Sequence, residues 1–145
     1  MKKIFIKEEF CIACRLCEIY CQVEHSKSKK ILKAFKEEPD LVSRVLVEEV
    51  GFNSFAIQCR HCTEAPCVEA CISGAMTKNI NTGIVICDEN KCVGCWMCIM
   101  TCPYGVIKRN ISEKKVASKC DLCGDTGYPV CVKNCPNEAL QFRDI

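Results

Sequence analysis

The segment Cys92-Val-Gly-Cys95-Trp-Met-Cys98-Ile-Met-Thr-Cys102-Pro103 holds four closely spaced cysteines, with a proline directly after the last. Three thiolates at this spacing can hold one iron-sulfur cube. The fourth is turned away and reaches a neighbouring cube, as in two-cluster bacterial ferredoxins. The segment therefore predicts an iron-sulfur site whose ligand set is completed by a cysteine from elsewhere in the chain.

The same arrangement recurs along the chain, so the segment is one unit of an internal repeat. Of the 17 cysteines, 16 fall into four quartets: Cys11, Cys14, Cys17, Cys21; Cys59, Cys62, Cys67, Cys71; Cys92, Cys95, Cys98, Cys102; and Cys120, Cys123, Cys131, Cys135. At four ligands per cube, these cysteines are the predicted metal-binding residues of four 4Fe-4S clusters.

Length and composition bound the class of protein. The 145 residues are enough for one domain, and the cysteine content is far above that of ordinary globular proteins. A secreted disulfide scaffold needs an export signal, but Met1-Lys-Lys-Ile-Phe-Ile-Lys7 reaches a lysine after three apolar residues. No stretch approaches the ~18 apolar residues of a membrane span. We therefore expect a cytoplasmic protein without direct membrane insertion.

The net charge depends on whether the clusters are bound. The metal-free chain has a formal net charge of +2. Four oxidised clusters with their thiolates add about −8, which leaves the loaded protein at about −6. An acidic protein is suited to docking on basic protein surfaces and unsuited to nucleic acid. We therefore expect protein partners and no nucleic acid.

The quartets also organise the expected fold. Each one is typical of a cluster-binding loop followed by a short helical turn and a strand. The predicted strands are 3–7, 44–50, 54–58, 84–87, 115–117 and 140–142, and a hairpin turn is predicted at residues 81–83. The lysine-rich run of residues 26–30, continued by Lys33 and Lys36, is interpreted as a solvated helix face.

The predicted fold class is α+β, with two interleaved ferredoxin-like βαβ halves held by 4Fe-4S clusters. Residues 56–110 form the expected inner half, because the hairpin joins quartets two and three there. Residues 1–25 and 111–145 form the outer half, residues 26–55 are an insertion, and the whole chain 1–145 is one polyferredoxin domain. Three pairings of four quartets are possible, and from first principles only sequence proximity favours this one.

The order and spacing of the quartets resemble the iron-sulfur subunits of the dimethyl sulfoxide reductase and formate dehydrogenase families over nearly the whole chain. Those subunits also have a longer middle gap in the second quartet, here Cys62 to Cys67, and a longer one still in the fourth, here Cys123 to Cys131. The segments Cys11-Ile-Ala-Cys-Arg-Leu-Cys17, Cys59-Arg-His-Cys62 and Cys92-Val-Gly-Cys-Trp-Met-Cys98 look most like the ferredoxin-like electron carrier of nickel carbon monoxide dehydrogenases.

This resemblance implies four ligand sets, each completed by the last cysteine of another quartet. They are set 1 (Cys11, Cys14, Cys17, Cys135), set 2 (Cys21, Cys120, Cys123, Cys131), set 3 (Cys59, Cys62, Cys67, Cys102) and set 4 (Cys71, Cys92, Cys95, Cys98). In contrast to the larger relatives, this chain is expected to have no membrane anchor and no long insertions, which puts their quinone connection in doubt.

The resemblance also implies a function. The chain would relay low-potential electrons from an anaerobic oxidoreductase, carbon monoxide dehydrogenase being favoured, to a hydrogenase or a flavin NAD(P)H oxidoreductase. A tungsten aldehyde oxidoreductase or a formate dehydrogenase is the alternative partner enzyme. A structural or assembly role for the clusters is a separate hypothesis.

Several individual residues allow more than one interpretation. Zinc also binds paired cysteines, but Pro103 and Pro136 after the last cysteines favour iron-sulfur. Cys87 is interpreted as a buried strand thiol, with a replacement ligand as the minority view. His61 either packs or donates to a cluster sulfur, and Trp96 is expected to shield a cluster from water. No nucleotide-binding or catalytic motif is present, so the chain is not expected to be an enzyme by itself.

Overall fold

The computed structural model describes residues 1–112 and 115–145. The strands are β1 (Lys2–Ile6), β2 (Val45–Val50), β3 (Asn53–Gln58), β4 (Met76–Lys78), β5 (Val85–Cys87), β6 (Lys108–Asn110), β7 (Val116–Ser118) and β8 (Leu140–Asp144). The helices are α1 (Leu16–Glu24), α2 (Ile31–Glu37), α3 (Pro66–Glu69), α4 (Met97–Thr101) and α5 (Val130–Lys133). The architecture is thus small and mixed α/β, and the predicted strands occur within one or two residues of their expected bounds.

All the sheets of the described residues are two-stranded and antiparallel, in the pairs β1–β8, β2–β3, β4–β5 and β6–β7. The β1–β8 pair joins the two ends of the chain, with Lys2 opposite Asp144 and Ile6 opposite Leu140. Strands β6 and β7 lie on either side of the expected boundary between the inner and outer halves at residue 110, and they pair with each other. The sheets are too small to form a core by themselves and serve to hold the cysteine loops.

The β4–β5 hairpin turns close to the predicted residues. Asn79 Oδ1 accepts hydrogen bonds from the backbone N–H groups of Asn81 and Thr82 at 2.9 and 3.0 Å. Gly83 has a φ of +71°, a left-handed conformation that costs glycine little. This turn brings β5 alongside β4, next to the second and third quartets.

Two separate groups of buried residues form the core. One combines both chain ends with β2 and β3, and consists of Cys17, Cys21, Val45, Val47, Ala56, Cys131 and Leu140. The other lies between residues 65 and 117, and consists of Ala65, Cys67, Met76, Val85, Cys98, Ile107 and Ala117. Cysteines contribute to both groups, so the cysteine loops are themselves the centre of the packing.

The lysine-rich run differs from its expected structure. Residues 26–28 form bends and residues 29–30 are irregular, and only Lys33 and Lys36 of the run lie on a helix, on the exposed part of α2. The reason is Ser26, whose hydroxyl donates to the carbonyl of Val23 at 2.6 Å and accepts from the N–H of Lys29 at 3.1 Å. These bonds end α1 in a turn. No helix of the described residues is long and apolar enough to cross a membrane.

Candidate functional site

The cysteine loops share one local structure. The third cysteine of each quartet is the second residue of a short helix: Cys17 in α1, Cys67 in α3, Cys98 in α4 and Cys131 in α5. All four are buried. The residue before the second cysteine always has a positive φ: Ala13 (+53°), His61 (+45°), Gly94 (+68°) and Leu122 (+59°). Left-handed backbone is unfavourable for side-chain-bearing residues, and its recurrence at one position is typical of functional loops.

The third quartet does not close on itself. Cys92, Cys95 and Cys98 line a pocket of about 320 Å³ together with Cys71, the last cysteine of the second quartet. Burial, followed by the neighbouring thiolates of Cys92, Cys71 and Cys95, raises the pKa of the Cys98 thiol to about 11. The residues named above as set 4 therefore surround one space.

A second pocket also borders the β4–β5 hairpin, with Val85 of β5 in its wall. It is lined by Cys59, Cys62, Cys67 and Cys102, the residues of set 3, with Pro103 and Tyr104 beside them. Burial raises the pKa of the Cys67 thiol, and the thiolates of Cys59 and Cys102 act in the same direction. In each of these two pockets, three cysteines of one quartet thus lie together with the last cysteine of the other quartet.

The two remaining quartets meet where α1 packs against α5. Burial raises the pKa of the Cys17 thiol to about 12, with contributions from Glu18 and then from the thiolates of Cys14 and Cys135. Cysteines of set 1 from both ends of the chain therefore lie near one another. Cys135 also packs against the core group that contains Cys17.

Set 2 is the most deeply buried. Burial raises the pKa of the Cys131 thiol, and the thiolates of Cys120, Cys21 and Cys123 raise it further. Burial likewise raises the pKa of Cys120 to about 12 and that of Cys123 to about 11. Such groups are costly to ionise in the metal-free chain, but a positively charged metal centre favours the thiolate.

Backbone N–H groups point at several of these sulfurs. The N–H groups of Met76 and Ala117 donate to Cys71 Sγ at 3.3 Å and Cys92 Sγ at 3.5 Å in set 4. Donors also reach sets 2 and 3, from Arg44 to Cys21 (3.3 Å), from Leu122 to Cys120 (3.5 Å) and from His61 to Cys59 (3.4 Å). Hydrogen bonds to the sulfurs are one of the ways in which a protein sets the potential of an iron-sulfur cluster. The donor set is therefore chemically suited to 4Fe-4S groups.

Cys87 is the seventeenth cysteine and lies on β5, partly buried, in the wall of the set 4 pocket. Burial, followed by the thiolate of Cys92, raises the pKa of Cys87 to about 12. Trp96 lines the same pocket and stacks under Arg109, whose guanidinium carbon lies 5.4 Å from the ring centroid. The indole thus forms part of the pocket wall, and its role in shielding a cluster from water stays a prediction.

His61 is fully packed inside the protein. Its Nδ1 accepts the backbone N–H of Val85 at 3.0 Å, so the proton of the neutral ring lies on Nε2, and Nε2 has no hydrogen-bond partner among the described residues. Burial and then the charge of Lys119 lower the pKa of His61 to about 3. Donation from this ring N–H to a cluster sulfur stays a prediction.

Sequence reasoning missed a polar network around Cys21. His25 Nδ1 lies 2.8 Å from the carbonyl oxygen and 3.8 Å from the Sγ of Cys21, while its Nε2 lies 3.3 Å from Asp121. Arg44 donates to the other oxygen of Asp121 at 2.6 Å. Although burial opposes it, the hydrogen bonds to Asp121 and Cys21 raise the pKa of His25 to about 9. The partners lie far apart in the chain, so no local motif marks them.

Comparisons with known proteins agree with this cysteine chemistry. Residues 50–145 match the family model described as a 4Fe-4S dicluster domain. An iron-sulfur protein of Rhodospirillum rubrum is 34% identical, with 98% of this chain and 82% of that protein covered. The thiosulfate reductase electron transfer subunit PhsB of Salmonella typhi is also 34% identical, over 93% of this chain and 71% of that subunit. The solved BamBC complex of benzoyl coenzyme A reductase with zinc aligns with a TM-score of 0.51 and 26% identity, over 100% of this chain and 80% of that one.

Proposed function

Because the chain belongs to the 4Fe-4S dicluster family, we propose that it is a cytoplasmic electron relay that binds four 4Fe-4S clusters in sets 1 to 4. The observation that carries this proposal is the convergence of cysteines from different quartets on common sites, such as Cys59, Cys62 and Cys67 with Cys102. Each bound cluster supplies a single-electron acceptor and donor, at a potential set by its surroundings between about −700 and +450 mV.

The contacts between the sets support one order along the relay. Cys17 of set 1 and Cys21 of set 2 both lie on α1, and the thiolate of Cys17 influences the pKa of Cys131 in set 2. The thiolate of Cys59 in set 3 influences the pKa of Cys120 in set 2. Sets 3 and 4 share quartets two and three. The proposed order is therefore set 1, set 2, set 3, set 4.

The two ends of this order are where partner proteins are expected to dock. Of all 17 cysteines, only Cys14 and Cys95 are exposed, and they belong to set 1 and set 4. Large apolar side chains are also exposed near each of them, such as Ile12 at one end and Val93 at the other. Electrons entering beside one exposed cysteine can leave beside the other.

The partner enzyme favoured by the sequence motifs is a carbon monoxide dehydrogenase, with a hydrogenase or flavin NAD(P)H oxidoreductase as the acceptor. A tungsten aldehyde oxidoreductase or a formate dehydrogenase is the second candidate. The name of the Salmonella relative indicates that a reductase of an inorganic sulfur compound is a further type of enzyme to include in a test.

Anaerobic bleaching of the visible cluster absorbance tests the function. The chain alone should be inert to CO, formate, aldehydes and NADH, because it has no catalytic motif. A catalytic amount of carbon monoxide dehydrogenase with CO should bleach it within seconds. Bleaching with an aldehyde oxidoreductase or formate dehydrogenase instead would transfer the assignment to that enzyme. Absence of electron exchange with every tested enzyme would favour the structural role.

A matched pair of variants tests the order of the sets. Cys14→Ser and Cys95→Ser each change an exposed cysteine in an end set, and each should slow transfer from donor to acceptor even though the other three sets are intact. One of the two should block entry of electrons and the other should block their exit. If neither variant impairs transfer, the end sets are not on the electron path.

A further inference from the structure

Lys119 is a buried cation at the junction of the two halves of the protein. Lys119 is only 3% exposed, whereas lysines are almost never fully buried unless they are paired. The Nζ atom donates hydrogen bonds to the carbonyl oxygens of Val85 on β5 and of Cys120 in set 2, the latter at 2.8 Å. The ammonium group therefore contacts both halves.

No carboxylate forms an ion pair with Lys119 among residues 1–112 and 115–145. A buried charge without an opposite charge is strongly destabilising. Backbone carbonyls solvate the ammonium but do not neutralise it. Groups other than Asp and Glu can therefore supply compensating negative charge at closer range.

The cysteines of two ligand sets are the nearby groups that can supply this charge. Val85, whose carbonyl accepts from Lys119 Nζ, lines the pocket formed by the cysteines of set 3, and Cys120, whose carbonyl is the other acceptor, belongs to set 2. Lys119 thus lies within electrostatic range of both sets at once. Loaded clusters with their thiolates are net anions, which makes the two sets matching partners for one buried ammonium.

The neighbouring His61 does not share this role. Its ring is neutral because burial and the charge of Lys119 disfavour protonation. Val85 connects the two residues, since its N–H donates to His61 Nδ1 and its carbonyl accepts from Lys119 Nζ. The backbone of β5 therefore fixes the position of the ammonium between the sets.

We propose that Lys119 is a potential-setting residue, whose fixed positive charge raises the reduction potentials of the clusters in sets 2 and 3 relative to those in sets 1 and 4. The inference rests on the proposed ligand sets. Reduction adds one electron, and therefore one negative charge, to a cluster. A buried cation stabilises the more negative state, and low local dielectric makes that stabilisation larger than it is in water. The two middle clusters would then hold electrons more readily than the two ends.

The experiment compares the loaded wild-type protein with Lys119→Met and Lys91→Met. Lys91 is a matched control because it also directly precedes a ligand, Cys92, but its side chain is 63% exposed and lies 3.9 Å from Asp88. Redox titration followed by electron paramagnetic resonance measures the four midpoint potentials. For Lys119→Met, we expect the reduction constants of two clusters to fall at least tenfold, or 59 mV for a one-electron couple. The other two, and all four in Lys91→Met, should shift much less.

Two further variants separate charge from packing. Lys119→Arg keeps the positive charge and should keep the potentials, whereas a fall as large as that in Lys119→Met would attribute the effect to packing and overturn the proposal. If Lys119→Met loses iron, Lys119→Gln is the neutral variant to titrate, because its amide still donates hydrogen bonds. Loss of iron from both neutral variants but not from Lys119→Arg would support the charge role, and loss from all three would overturn it.

The remaining outcomes are also decisive. No shift in Lys119→Met, an equal shift of all four clusters, or an equal effect of Lys91→Met would each overturn the role of Lys119. A wild-type protein with fewer than four clusters would instead contradict the proposed ligand sets. The failure of the function and the failure of this inference are therefore distinguishable.

Discussion

Replacement of Gly94 by alanine should destabilise the loop of the third quartet. Gly94 has a φ of +68°, and a Cβ atom built there would lie 2.5 Å from the carbonyl oxygen of Lys115 and 3.2 Å from its Cβ. The left-handed conformation costs an alanine roughly 1–2 kcal/mol. Relief of the overlap with a backbone atom costs about 1–3 kcal/mol more. The sum of about 2–5 kcal/mol is a large part of a typical domain's stability.

The overlap with Lys115 should also affect the ligands of set 4. Lys115 lies directly before β7, and Ala117 of β7 donates its N–H to Cys92 Sγ at 3.5 Å. A shift of the Lys115 carbonyl should therefore weaken the hydrogen bond to one ligand as well as the packing of the loop.

Gly105→Ala is the matched control. Gly105 also has a positive φ, +61°, but a Cβ built there meets no atom within 4 Å. Anaerobic unfolding in guanidinium, followed by loss of visible cluster absorbance, should give a clearly lower midpoint for Gly94→Ala than for Gly105→Ala. Equal midpoints would refute the argument, because they would show that the contact with Lys115 has no energetic effect.

Three other predictions concern the ligands and docking. Cys135→Ala should disturb the cluster of the first quartet, measured by electron paramagnetic resonance, while quartets two and three stay intact; loss confined to the fourth quartet's own cluster would contradict the crossed sets. Cys87→Ser should keep the iron content and lower stability by about 1–2 kcal/mol, because a hydroxyl enters a mainly apolar strand, whereas Cys95→Ser should lose or convert one cluster. Equal iron loss in both would show that the ligand list is wrong. The rate of reduction by the partner enzyme should fall as salt is added if charged surfaces steer docking, and a rate independent of ionic strength would exclude steering.

The elements that sequence predicted well are those with local signals. Alternating apolar strands and the turn at residues 81–83 depend on neighbouring residues, and the β4–β5 hairpin occurs where they indicate it. Cysteine spacing is equally local, and the third cysteine of every quartet begins a helix in the same way. The lysine-rich run was predicted wrongly because charge pattern alone does not reveal the turn that Ser26 forms.

The features that sequence did not predict depend on contacts between distant residues. Asp121 binds both His25 and Arg44, from which it is separated by 96 and 77 positions. The burial of Lys119 is contrary to the usual exposure of lysine, and only the packing of β5 against the fourth quartet explains it. The buried Lys119 departs from the rule that lysines are exposed, and contacts elsewhere compensate for it. Departures of this kind are expected at functional sites.

The most direct test of the relay is the iron and acid-labile sulfide content of the anaerobically purified protein. The four ligand sets predict about sixteen iron and about sixteen sulfide per chain. About eight of each would mean that two sets do not bind clusters, and stoichiometric zinc without sulfide would contradict the account as a whole.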